Sequence, residues 1–571
     1  MAMRRNQRSE DAAAKEGEDV RDGCTDVDDR KKVSREVRVA GDPWFRGWWG
    51  LDLRSVACLR AVLAFLLLVD LAMRARNFKE INCDDYLAPT GYSPHGWIVH
   101  RVLFYRGGVV LQSAIAVFQA FVLLAYLVGY RTNVTAVLAW LLTTMMHGRN
   151  EWVNNAGDKV ATTFLFWLMF IPCGEYFAYN KGVLHRPGVK YASFATLCYR
   201  MQLVYLYLSP MYLRWSTAAS NTWTWAKANA VYYTVHYTTA TPFGMHVVGK
   251  YPGLCKMLTR VAILLETVGA VLLAFSPSQL LQLLLVIGFW KLHMGIALVV
   301  ELGIFPFISS VSAFGLLPSS TWDTKVVISI LQSQPAILLA KLGCVVGKAF
   351  EACFGQPASD QKQGKLSFLL ERWLAAFLLI YFPVTILGYL GLIKQPDDGN
   401  LAEALRVTQR WPMYSPNAPY SSVWMVVEGK LQNETYIDLM EVWRHGWANS
   451  RKRWVQSDWR PSTIKVERPM PTPHAAFPNV RMSKFMIYSM QVGEDAKQGR
   501  LLTRQFVRYM CRQWDEKMKP GKDNMPRLLT VSVFLVNQLT LDPDSNPPSL
   551  YGGVHAREHL QGTWSCESVW H

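Results

Sequence analysis

The sequence predicts an all-α polytopic membrane bundle of about eight transmembrane helices followed by a small C-terminal α+β domain. Three observations carry this. Apolar segments close to spanning length recur between Val56 and Leu392. Trp and Tyr gather at their edges, where amphipathic rings sit at the membrane–water interface. After Asp397 the apolar blocks give way to alternating segments of the kind that form a half-buried sheet. The chain therefore divides into a charged cytosolic arm at 1–42, expected to be disordered, a transmembrane domain at 43–395 and a soluble tail at 396–571.

The net charge of +17 would suggest nucleic acid in a soluble protein, but no nucleic-acid-reading motif accompanies it. Basic loops facing anionic lipid and a basic tail account for it, so membrane lipids are the expected partners and nucleic acid is not. The ten cysteines form no CxxC pair, which argues against a structural zinc site. Cys83, Cys511 and Cys566 are candidates for disulfides if their compartment is oxidising. Met1 to Ala40 is highly charged and has no apolar core, so it is not read as a secretory signal.

The first span runs from about Val56 to Ala72 and contains Arg60 and Asp70, with Arg74 one turn beyond Asp70. Asp70 and Arg74 share a helix face and can pair, although Arg74 at a span end is expected to snorkel to the interface. Arg60 lies deeper and needs a buried partner. Val109–Val128 and Val134–His147 read as an antiparallel pair joined at Gly129–Arg131. A fourth span is expected over Val160–Phe177 and a fifth over Phe194–Leu213. After a long aromatic connection come Met257–Phe275 and Gln279–Val300, joined at Ser276-Pro277. Phe305–Leu317 is short and reads as re-entrant. Val326–Val346, broken by Pro335, reads as interfacial or spanning, and the final span is Trp373–Leu392. In the tail, SSVWMVVEGKL, ETYIDLMEVW and LLTVSVFLVNQLTL read as strands and Leu501–Met518 as a basic-faced helix.

No P-loop, GxGxxG, GxSxG, HExxH or kinase signature is present. The chemistry therefore has to come from constellations. Arg149, Asn154, Asn155 and Asp158 crowd the mouth of the fourth span. They read either as a cradle for a head group or carboxylate, or as a helix cap beside an interfacial arginine. Glu266 and His293, with Lys291 nearby, lie in neighbouring spans, where a carboxyl and an imidazole could exchange a proton or simply fix helix packing. Lys227 lies in an aromatic stretch and would act as a base only if apolar surroundings desolvated it. Asn433-Glu434-Thr435 is a glycosylation sequon, usable if the tail is luminal. If the N-terminal arm and the basic Tyr179–Lys190 loop are cytosolic, the polar mouth faces the lumen or the outside. The expected setting is the endoplasmic reticulum, another endomembrane or the plasma membrane.

These features also resemble, in order, the horizontally transferred transmembrane (HTTM) domain family, related to the vitamin K-dependent gamma-glutamyl carboxylases. The resemblance is carried by LLLVDLAMRAR, DDYLAPTGYSPHG, RNEWVNNAGDKVATTFLFWLMFIP, YRMQLVYLYLSPMYLR, LLETVGA, LHMGIALVVELGIFPFISSVSAFGLLP and TQRWPMYSPNAP, across about residues 45–440. It implies a helical membrane domain with a lumen-side polar cavity for a lipid- or quinone-like molecule, and vitamin K hydroquinone as cofactor if carboxylation is retained. Two positions depart from that chemistry. Arg214 stands where the resemblance places a lysine base, and a guanidinium does not give up its proton. Ala156, not histidine, follows Asn154-Asn155. The resemblance thus implies a ligand-binding relative, with Arg214 among the ligand contacts. A divergent carboxylase, another membrane enzyme such as an acyltransferase, and a partner-binding membrane protein are the alternatives.

Overall fold

The computed structural model describes residues 49–84, 86–88, 107–181, 188–216, 223–356, 405–407, 411–455, 471–491, 496–544 and 559–567, with isolated positions at 373–388 and 469. The expected arm at 1–42 and most of the expected final span Trp373–Leu392 lie outside them. The described chain is mostly helical, with a small sheet near its C-terminal end.

A short strand β1 (Leu51–Asp52) pairs with β2 (Lys190–Tyr191) and leads into helix α1 (Leu53–Ala75), capped by the Asp52 carboxylate. After the single turn α2 (Phe78–Asn82) come α3 (Val109–Leu127) and α4 (Thr132–Arg149), antiparallel as their tight connection requires. Helix α5 (Ala156–Leu168) opens on a capping box. The Asn155 side chain accepts from the Gly157 and Asp158 amides, and Asp158 reaches back to the Asn155 amide. Gly157 is required there, because a Cβ would lie 2.6 Å from the Phe305 backbone. Helix α6 (Phe194–Ser216) contains Pro210. Helix α7 (Pro252–Phe275) carries a π-helical turn at Leu265–Gly269 and packs antiparallel to α8 (Gln279–Val299). Helix α9 (Phe305–Ser312) is the short apolar element expected to be re-entrant.

Among the described residues, four helices, α1, α3, α7 and α8, are long and apolar enough to cross a membrane. The other expected spans depart for visible reasons. α4 is rich in threonine and ends in His147 and Arg149. α6 is 23 residues long but contains Arg200, Pro210 and Arg214. The fourth expected span does not continue to Phe177: α5 stops at Leu168 after 13 residues. The loop beyond it is gripped by Arg60. This fully buried guanidinium donates to the carbonyls of Cys173 (3.1 Å) and Phe177 (2.6 Å), and more distantly to Leu127 (3.4 Å). Its partners are main-chain oxygens rather than an acid. Val326–Val346 divides into α10 (Lys325–Leu331) and α11 (Gln334–Phe354), with Pro335 in the first turn of the second.

The tail folds around an antiparallel sheet of order β4-β3-β5-β6: β3 (Ser421–Leu431), β4 (Tyr436–Asp438), β5 (Leu528–Leu539) and β6 (His559–Ser565). β3 and β5 match the expected strands. ETYIDLMEVW does not remain extended: after Asp438, whose carboxylate caps the next turn, Leu439–His445 is helical as α12. Helices α13 (Val480–Gln491) and α14 (Ala496–Gln513) cover the sheet. The core of the tail includes Trp424, Val427, Phe485, Phe506, Trp514 and Val533, and it also takes in Ile81, Leu87 and Val153 from the bundle side. Tail and bundle therefore share one apolar cluster. Cys511 and Cys566 are joined in a disulfide between α14 and the end of β6.

Candidate functional site

Asp158, fixed by the cap of α5, lies at the centre of a buried charge cluster. Its Oδ1 accepts from Arg74 of α1 (2.8 Å) and Arg481 of α13 (3.0 Å), and its Oδ2 accepts from the Asn155 amide (2.7 Å) and Arg481 (3.0 Å). Arg74 also donates to Asp70 Oδ2 at 2.8 Å, and Arg481 donates to the other oxygen of Asp70. His147 Nε2 lies 3.3 Å from Asp158 Oδ1. Arg74 therefore does not snorkel. Its side chain is fully buried because two carboxylates are waiting for it. Burial works against the charge on Arg481, but Asp158 and Asp70 outweigh it and raise its pKa. Asp70, His147 and Asp158 present donor atoms within 4.8 Å of one another, a metal-like set. Two guanidiniums already neutralise the same carboxylates, so a cation would be repelled from that position.

The expected cradle of Arg149, Asn154, Asn155 and Asp158 is thus divided. Asn155 is the helix cap. Asn154 accepts weakly from Arg74 (3.5 Å) and donates to the His147 carbonyl (2.7 Å). Arg149 turns away to Asp84. Arg481 went unnoticed in the sequence because it lies more than 300 positions from its partner Asp158, in an ordinary amphipathic helix.

The second group lies where α6, α7 and α8 meet. Glu266, on the π turn of α7, pairs with Arg214 of α6 at 2.5 Å. His293 Nε2 shares a hydrogen bond with the hydroxyl of Tyr207 at 2.8 Å, about two turns of α6 closer to Phe194 than Arg214. Glu266 and His293 are not hydrogen-bonded to each other, so the expected carboxyl–imidazole pair is replaced by two pairs. Each is joined through α6: Arg214–Glu266 and Tyr207–His293. Both Tyr207 and His293 are buried, and His293 Nδ1 has no partner among the described residues. Phe289 packs on the Tyr207 ring (centroids 4.5 Å apart), and Phe305 stands edge-on to His293 (5.8 Å).

A strap from the start of the tail, Trp411–Ala418, closes over Arg214. Arg214 donates to the Met413 carbonyl (3.2 Å) and lies 3.6 Å from the Trp225 ring centre, while the Trp225 indole donates to the Tyr414 carbonyl (2.9 Å). A π turn in an otherwise regular helix is a frequent companion of function, and here it presents the only acid of α7.

Lys227 is not desolvated. Its ammonium is half exposed and lies 3.4 Å from Asp542, so the environment needed for a base is missing. Lys291 is exposed on α8 and does not join His293. Asn433 is exposed at the tip of the β3–β4 hairpin, where its Oδ1 accepts from the Thr435 hydroxyl (2.7 Å). No protein-family model, no curated protein and no solved structure matches this chain.

Proposed function

We propose that this is a polytopic integral membrane protein of the HTTM and vitamin K-dependent carboxylase-like group, with about eight spans, that binds a lipid- or quinone-like molecule between α6, α7 and α8. The observation that carries the reading is the buried Tyr207–His293 pair. One ring nitrogen of His293 is bonded and the other lacks a partner, in an aromatic surround beside an arginine–carboxylate pair. Phe289 and Phe305 offer ring surfaces, His293 Nδ1 can donate to or accept from a carbonyl or hydroxyl, and Arg214 can hold an oxyanion. Intramembrane ionisable groups of this kind are retained for ligands or protons more often than for packing alone.

The Cys511–Cys566 disulfide and the exposed sequon at Asn433 support a tail on the oxidising side of an endomembrane or plasma membrane. The Asp158 cluster belongs to the docking of that tail rather than to the ligand. The enzymatic alternative is weakened by the residue at the lysine position: Arg214 is permanently charged and already paired with Glu266.

The test is mass spectrometry of small molecules released from the full chain purified in native lipid. Tyr207→Phe, His293→Ala and Glu266→Gln are expected to lose the co-purifying molecule while remaining monodisperse. Undiminished retention in all three would sink the proposal. Carbonate incorporation into peptide glutamate that depends on vitamin K hydroquinone and disappears with Lys227→Ala would promote the carboxylase alternative.

A further inference from the structure

The exposed stripe of α7 runs through Met257, Val261, Leu264 and Val268, and that of α8 through Leu280, Leu284, Ile287 and Leu298. Each stripe is apolar except at one position: Arg260 in the first and Lys291 in the second, both exposed. Among the described residues neither has a hydrogen-bonding or ionic partner. Glu266, the one acid of α7, is committed to Arg214. Glu301 lies beyond the end of α8, about 15 Å along the axis from Lys291. The apolar stretch Trp373–Leu392 contains no Asp or Glu and so has no counter-charge to offer.

The two cations are at one level. Leu265 of α7 packs on Gly288 of α8, and Leu285 of α8 on Gly269. The helices are antiparallel, and counting from these contacts places Arg260 and Lys291 within about 3–5 Å of each other in height at ~1.5 Å per residue. Both lie about 12 Å from the end of their helix, on the side away from the Ser276–Ser278 turn. With 24 and 21 residues, α7 and α8 span slightly more than the ~30 Å hydrocarbon layer. A side chain of ~6 Å reach stops about 6 Å short of the helix end from this depth, so a lipid phosphate has to be drawn inward to meet it. An unpartnered cation facing lipid is costly, and two at nearly one height on neighbouring helices can share an anion.

We infer that Arg260 and Lys291 together hold the phosphate of an anionic lipid against the α7–α8 hairpin. The guanidinium fork and the ammonium can each donate to one phosphate's oxygens. Tyr251 at the end of α7 is the aromatic anchor expected at head-group level, and Trp290 lies exposed beside Lys291. Outward from Arg260 the next cations are Lys256, paired with Asp544, and the exposed Lys250 at the end of α7, which extends the positive charge toward a membrane surface. The inference needs only that α7 and α8 cross the bilayer. It is independent of the molecule held near His293.

The experiment is native mass spectrometry of the full chain in nanodiscs of phosphatidylcholine containing one-fifth phosphatidylglycerol. The wild type is expected to keep one phosphatidylglycerol, and Arg260→Leu with Lys291→Met to reduce that retention about tenfold. These variants make the helices more apolar, so insertion is retained, and Lys250→Gln serves as a surface-charge control. Equal retention by the double variant, or loss caused equally by Lys250→Gln, would overturn the inference. So would displacement of the lipid by inorganic phosphate, which would mean a free-anion site, or crosslinking of Lys291 to a carboxylate of another membrane protein.

Discussion

Asp158 and His293 both lie buried among helices, yet their surroundings are finished to different degrees. At Asp158 both carboxylate oxygens meet donors from three elements, and the neighbouring Asp70 is served by the same two arginines. At His293 one ring nitrogen is bonded and the other is not, and the nearby Glu266 uses only one oxygen on Arg214. In the denser group the carboxylates are thus fully met, although Arg74 Nη1 and His147 Nδ1 lack partners there among the described residues, and the arginines shared between bundle and tail make it a joint. The sparser group keeps unused hydrogen-bonding capacity in an aromatic setting, and that capacity is what a ligand needs. Charge density alone would have assigned the roles the other way round.

That contrast can be broken most forcefully at the joint. Asp158→Ala leaves Arg74 and Arg481 buried and facing each other, and removing one partner of a buried pair costs about 3–5 kcal/mol. The expected outcome is loss of the docked tail, seen as proteolytic release of the region after residue 411 and a lowered unfolding temperature. Arg481→Lys keeps the charge but loses the two-pronged contact, with an expected cost of about 1–2 kcal/mol in the same assay. A variant as stable as wild type would mean that the cluster does not hold the tail.

At the other group the expectation reverses. Tyr207→Phe removes a single hydrogen bond, worth about 1 kcal/mol, so stability changes little while retention of the co-purifying molecule falls. A large loss of stability with unchanged retention would reassign the pair to packing. A smaller effect is expected with pH at the tail–bundle rim. Hydrogen bonds from Lys256 and Asn229 lower the Asp544 pKa below its ordinary value. The sign follows from that depression. The contact is intact above the unfolded carboxylate value of about 3.9 and is lost as pH falls through the lower folded value. Protease sensitivity of the tail measured against pH should show no such dependence in Asp544→Asn. Finally, Asn433→Gln should leave stability unchanged and abolish a glycosidase-sensitive mobility shift. A wild-type chain with no shift when expressed in a glycosylating cell would place the tail on the other side of the membrane.

Much of the helical architecture was legible because apolar runs and their aromatic edges are local signals. α1, α3, α7 and α8 read directly from composition, and the α5 cap from Asn155 and Asp158 three positions apart. β3 and β5 were legible from alternation. The end of α5 at Leu168 was legible only in part: Pro172 has no N–H for the Leu168 carbonyl, but the course of the loop beyond depends on Arg60 holding the Cys173 and Phe177 carbonyls. The short β4 was not legible, since Tyr436–Trp443 alternates well enough for a strand until the Asp438 cap turns it.

The sequence by itself determined that long apolar helices would seek a membrane, that ionisable groups would lie among them and that a small sheet would follow. Those consequences need only side-chain hydrophobicity and the period of the chain. The partnerships were decided by tertiary structure. Asp70 and Asp158 share an arginine from the far end of the chain, Glu266 takes Arg214, and His293 takes Tyr207. A buried charge requires a counter-charge, but which of several chemically equivalent groups supplies it depends on the few ångströms that only packing sets.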